Sequence, residues 1–88
     1  MTHDPYDVLL HPYVTEKTMG RIDRDNTIEF VVRREATKTQ VKWAVEKLYN
    51  AKVVKVNTRI TMRGEKHAAV RFADDVNAEE IGQRIGIF

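Results

Sequence analysis

The sequence predicts an α+β fold, a mostly antiparallel four-stranded sheet backed by helices, with one principal amphipathic helix over Thr37–Asn50. Three observations predict it. Val41, Ala44, Val45, Leu48 and Tyr49 recur at i, i+3, i+4, i+7 and i+8, a single apolar stripe along a helix. Ile28, Phe30 and Val32, and later Val54, Val56, Thr58, Ile60 and Met62, alternate with other residues at the two-residue period of a strand. A further alternating stretch, Ala68, Val70 and Phe72, follows Arg63-Gly64-Glu65, whose glycine suits a tight hairpin connection. One sheet with helices against it accommodates the order strand, short helix, strand, helix, strand, strand, helix.

Taken in order, Tyr6 to Leu10 (YDVLL) is short and apolar and reads as a strand that stops near Pro12. Thr15 is placed to cap a short helix from Glu16 to about Asp23, with Glu16 at the positive end of its dipole. Asp23-Arg24-Asp25-Asn26 then reads as a turn. TIEFVVRR follows as a half-buried strand, with Glu29 and Arg33 opposite Ile28, Phe30 and Val32. Thr37 and Gln40 fit a capping box for the principal helix, and Ala36 and Val41 a hydrophobic staple.

In the hairpin, Lys55, Asn57, Arg59 and Thr61 share the face opposite the apolar row, and His67 and Arg71 return beside them. Asp74 and Asp75 end the last strand. Asn77 caps a closing helix over Ala78–Arg84, anchored by Ile81, Ile85 and Phe88. Trp43 lies nearly opposite Val45 on the principal helix and is expected to pack beneath another element, since large exposed tryptophans are uncommon.

Eighty-eight residues make a single domain, residues 1–88, and 42% hydrophobic with 32% charged residues is a globular balance. With no cysteine there is no disulfide framework, thiolate metal site or cysteine nucleophile, which suits a reducing compartment. There is no serine nucleophile either. His3, His11 and His67 lie too far apart for a helical metal pair, and the four glycines are too scattered for a phosphate loop. No metal or cofactor is expected. No stretch approaches the roughly 20 apolar residues of a membrane span, and MTHDPYDVLL is not a signal peptide. A cytoplasmic protein without membrane insertion is expected.

The formal charge of +2 conceals a division along the chain. From Arg33 to Arg71 eleven Lys/Arg face three acids, a net of +8; the remainder has four against ten, a net of −6. Such segregation marks a surface for a polyanion, against the plainer reading of solvated faces. HPYVTEKTM, His11–Met19, collects residues used in catalysis, and Thr15, Glu16 and Lys17 could be drawn as nucleophile, acid and base. Thr-Glu-Lys at a helix start is more simply a cap and its dipole complement.

An RNA-recognition motif would need stacking aromatics where the chain has RGEKHAAV, so backbone and shape recognition of folded RNA is the better match. Two alternatives stay open. One is an acylphosphatase-like enzyme holding phosphate with Arg59 and Asn57, although no phosphate-cradling loop accompanies the pair. The other is a free RNA chaperone.

HPYVTEKT, NTIEFVV, ATKTQVKWAVEKLYNAKVVKVNT, a G-x-K turn and the final strand together resemble the family of large-subunit ribosomal protein L twenty-three, across essentially the whole chain. RIGIF and the short hairpin are similar to the archaeal form. The resemblance implies a non-enzymatic constituent of the large ribosomal subunit that binds its ribosomal RNA beside the polypeptide exit tunnel. Its partners would be that RNA, neighbouring large-subunit proteins, and exit-site factors such as the signal recognition particle, with no DNA. The RNA-binding set expected is Lys17, Arg33, Lys38, Lys55, Asn57, Thr58, Arg59, Arg63, Lys66 and Arg71, and Glu16 matches the family's acidic factor-docking residue. Bacterial relatives carry a long basic extension where this chain has Arg63-Gly64-Glu65, so neither a tunnel-lining role nor the bacterial chaperone is implied.

Overall fold

A computed structural model describes residues 4–87. Its elements are α1 (Pro5–Val8), β1 (Leu9–Pro12), α2 (Glu16–Asp25), β2 (Thr27–Val32), α3 (Lys38–Tyr49), β3 (Val53–Ile60), β4 (Lys66–Phe72) and α4 (Ala78–Ile85). The strands form one sheet in the order β1-β2-β4-β3, antiparallel at every pairing. The predicted α+β class is what the chain adopts, with β3 and β4 joined by the expected hairpin.

The first element departs from expectation. Asp4 accepts from the Tyr6 amide at 3.0 Å, and Pro5 occupies the first helical position, where its missing N–H is not needed. Tyr6–Val8 are therefore a helical turn, and only at Leu9 does the strand begin. Next, α2 opens on Thr15, whose hydroxyl accepts from the Thr18 amide while Thr18 Oγ1 accepts from the Thr15 amide. The helix continues to Asp25, so the expected turn at Asp23–Asn26 is its last turn, closed by Asn26 in the left-handed region at φ 52°.

Asn26 then does a second job. Its Nδ2 donates to the carbonyls of Ala73 (3.0 Å) and Val76 (2.8 Å), and its Oδ1 accepts from Ala78 N at 2.9 Å. One amide side chain thus joins the end of α2 to the exit of β4 and the start of α4.

The principal helix is as read. Thr37 and Gln40 form the capping box, and Val41, Ala44 and Val45 are fully buried, with Leu48 and Tyr49 partly so. They pack on Ile28, Phe30, Val32, Ala68, Val70 and Phe72. Complete burial of such a Val, Ile or Phe contributes about 1.5–3 kcal/mol each. Tyr49 stacks against Phe30 with centroids 6.2 Å apart, and burial lifts its phenol pKa above 10.0, Tyr6 adding to the rise and Arg84 opposing it.

Two strands correct the simple alternation. All six residues of β2 are buried, including Thr27, Glu29 and Val31 on the side expected to be open. Along β3 the register slips between Val53 and Lys55. The bulge sends Val53 to the core (1% exposed) and Val54 outward (55%). Val56 and Thr58 are half-buried, while Ile60 and the hairpin residue Met62 are exposed. At the end, α4 runs one residue past Arg84, Ile81 is buried, and Gly86 closes the helix at φ 90°. Phe88, a predicted anchor, and His3 lie outside the described residues.

Replacing Asn26 with Ala removes these bonds and places a Cβ-bearing residue without a polar tip in the left-handed region. At about 1 kcal/mol per lost bond and 1–2 kcal/mol for the backbone, Asn26→Ala should lower stability by roughly 4–5 kcal/mol. The thermal midpoint should fall by more than about 10 °C. Asn26→Gly, which relieves only the backbone term, should recover part of that loss, and an unchanged melt for Asn26→Ala would refute the joint.

Candidate nucleic-acid interface

The side of the sheet away from α3 is built by registration of three strands. Thr27, Arg71 and Lys55 form one row, Glu29, Ala69 and Asn57 the next, and Val31, His67 and Arg59 the third. Strand pleat alone puts these residues on one face. Over β2 that face is covered, whereas Lys55, Asn57, Arg59 and Arg71 are exposed. The Tyr13 ring lies on His67 with centroids 4.3 Å apart, and Arg21 reaches across from α2.

Glu29 sits at the boundary between the covered and open halves. Its side chain is 3% exposed, so its charge needs partners. Arg59 Nη2 and His67 Nδ1 both donate to Glu29 Oε2 at 2.9 Å, the carboxylate being an acceptor only. Arg21 Nη1 lies 3.8 Å from Oε1, an ion-pair distance too long for a hydrogen bond. His67 Nε2 lies 3.4 Å from Glu65 Oε1. In the middle row β4 contributes only the Ala69 methyl, and a pocket of about 110 Å³ opens there, bordered by Arg21, Glu29, Asn57, Arg59 and His67.

Four residues of the expected RNA-binding set therefore meet on one face: Lys55, Asn57, Arg59 and Arg71. Arg59 is not a loose cation but is held by Glu29. Thr58 and Lys66 fall on the α3 side, and the Lys66 ammonium donates to the Ala36 carbonyl at 2.6 Å. Arg63 is exposed in the hairpin loop, and Arg33 and Lys38 are exposed about the β2–α3 connection. Glu16 and Lys17 are exposed on the first turn of α2.

His67, expected to project from the open face, is instead buried beneath Tyr13. Trp43, expected to pack under another element, is 39% exposed. The sequence reading missed Arg21, Glu29 and Tyr13 as members of the cluster. Its one available signal was an acid inside the apolar run Ile28–Val32. Among the described residues no group of three or more His, Asp or Glu is placed to hold a metal, and no helix is long and apolar enough to cross a membrane.

The fold and the site define a class, the small single-sheet α+β domains that expose cations from the strands of one half-open sheet face. Within it, the chain belongs to the family described as Ribosomal protein L23, which it matches over residues 7–83. It is 48% identical to the large ribosomal subunit protein uL23 of Methanobrevibacter smithii over 85 residues, covering 97% of this chain and 99% of that protein. Against the uL23 proteins of Methanothermobacter thermautotrophicus and Methanococcus vannielii the identities are 46% and 44%, each with 97% and 99% coverage. These relatives are archaeal, as the hairpin and RIGIF ending suggested. A ribosomal-protein family is not an enzyme family, and the acylphosphatase alternative is set aside.

The geometry separates two lysines that look alike in the sequence. Lys66→Met should lower unfolding free energy by about 1–2 kcal/mol, because its charge-assisted bond to Ala36 is lost. Lys55→Met should change it by less than about 0.5 kcal/mol. Urea titrations of both variants decide it, and equal effects would show that the Lys66 contact is not structural.

Proposed function

We propose that the chain is a structural constituent of the large ribosomal subunit. It binds large-subunit ribosomal RNA through the open half of its sheet, beside the polypeptide exit tunnel. The observation that carries membership of the subunit is near-full-length similarity to proteins named as its components. Support for the RNA face is the row geometry, with Lys55, Arg59 and Arg71 exposed on rigid strands and Asn57 among them. Cations and amides held this way meet phosphates and sugar hydroxyls without reading base sequence. Arg33, Lys38, Arg63 and Lys17 extend the positive field around it. Neighbouring large-subunit proteins complete the surroundings.

Position beside the tunnel, and the docking of nascent-chain factors such as the signal recognition particle, rest on the family resemblance. Glu16 is the residue proposed for that docking. It is exposed on the first turn of α2, and acids concentrate outside the basic segment, where RNA would repel them.

Lys55→Glu combined with Arg71→Glu should weaken binding to a large-subunit ribosomal RNA fragment more than tenfold and move the protein out of the large-subunit fraction on sedimentation. Undiminished affinity would mean that RNA lies elsewhere. Equal competition by bulk RNA would favour the chaperone reading. For the docking surface, Glu16→Lys should leave incorporation into large subunits intact while reducing co-sedimentation of the signal recognition particle. Loss of incorporation would assign Glu16 to the subunit's own structure.

A further inference from the structure

We infer that the pocket over Ala69 is a seat for one phosphate of the bound RNA. Arg21 and Arg59 are its cationic walls, Asn57 is a polar wall, and Glu29 is the positioning residue that holds the guanidiniums. This rests on the RNA-binding reading above and specifies the chemical group that the face receives.

The pocket exists because β4 offers a methyl where its neighbours in register offer Glu29 and Asn57. Its volume of about 110 Å³ is room for several waters, and so for a tetrahedral oxyanion. Two guanidiniums border it; Glu29 lies in its wall and Asp25 Oδ2 lies 3.7 Å from Arg21 Nε, so what the seat offers is aimed N–H donors rather than a net charge. The carboxylate side chain is 3% exposed and its Oε2 is occupied by Arg59 and His67. The arginine side chains are 57% (Arg59) and 30% (Arg21) exposed, and each guanidinium has five N–H donors. Arg59 spends one on Glu29 and keeps the rest for a ligand. Planar donor forks of this kind match phosphate oxygens better than an ammonium does.

Glu29 gives the inference a distinctive sign. As a mere negative charge near RNA it would weaken binding, and removing it would tighten the complex. As the anchor that holds Arg59 and Arg21, its removal loosens both donors and weakens the complex. The full chain should be titrated with a large-subunit ribosomal RNA fragment over a salt series, with thermal unfolding of each variant alongside. Ala69→Leu changes no charge and removes none of the groups bonded to Glu29, yet fills the seat; it should weaken binding about fivefold or more. Glu29→Gln should weaken it too, despite the more positive protein. Arg21→Gln with Arg59→Gln should lower the log–log salt slope by about 0.7–0.9 in total, the value for one phosphate rather than two.

Ala69→Leu binding as tightly as the unaltered chain overturns the seat, whatever Glu29→Gln does. That result would leave the pocket for an acidic side chain of a neighbouring protein. Tighter binding by a folded Glu29→Gln variant, or a slope change near twice the expected value, also overturns it. Failure of the unaltered chain to bind the fragment is a different result and overturns the RNA-binding reading itself.

Discussion

A carboxylate buried in the middle of β2 sets the terms for one whole side of this protein. The strand is covered on both faces, and Glu29 is 4% exposed, so an isolated charge there would be strongly unfavourable. Its partners come from three other elements: Arg59 on β3 and Arg21 on α2 supply positive charge, and His67 on β4 supplies a hydrogen bond. A buried pair of this kind is weak as a source of net stability, since well-packed apolar residues often do as well. Breaking it by removing a partner costs far more than the pair contributes. What the arrangement supplies is position. It fixes Arg59, and draws Arg21 toward it, at the border between the closed and open halves of the sheet.

The remainder of the fold keeps that border in place. On the other side of the sheet, α3 closes a dry core with Val41, Ala44 and Val45, and this layer carries most of the apolar burial. On the outer side, the segment from Tyr13 through α2 closes over β2 but not over β3. The closure depends on where α2 ends, and Asn26 settles that by bonding to Ala73, Val76 and Ala78. A polar joint between α2, β4 and α4 thus holds the element that delivers Arg21.

How much of this was legible follows from the range of each interaction. The principal helix was readable because its cap lies within four residues and its stripe is periodic. The hairpin was readable because one glycine and two alternating runs sufficed. Asp4-Pro5 carried a helix-start signal, but the apolar run YDVLL masked it, since short apolar runs do not distinguish strand from helix. Alternation in TIEFVV told which residues share a face and nothing about what covers the second face. Along β3 a single bulge exchanged the roles of Val53 and Val54, an event without a local signature. The Glu29 cluster joins residues 30 and 38 positions apart, so the topology had to be known before its members could meet. Lys66 and Lys55 show the same limit, being alike in type and opposite in placement.

The face therefore presents two kinds of cation, and they differ in what each can give to an RNA complex. Lys55 and Arg71 are exposed, and no acid in the described structure holds either in place. They contribute long-range attraction, salt-sensitive and indifferent to sequence, while losing rotamer freedom on contact. Arg59 has already lost much of that freedom to Glu29, so a phosphate meeting it incurs less ordering cost. In the proposed RNA complex, free cations draw the nucleic acid in and a fixed one determines where along the strand it rests. Phosphate contacts set register and orientation even though they read no base. For the proposed role, holding a protein of 88 residues in one place on a large RNA, that fixed point contributes more than an additional loose charge. On this view the buried acid, which opposes RNA by sign, serves RNA binding by geometry.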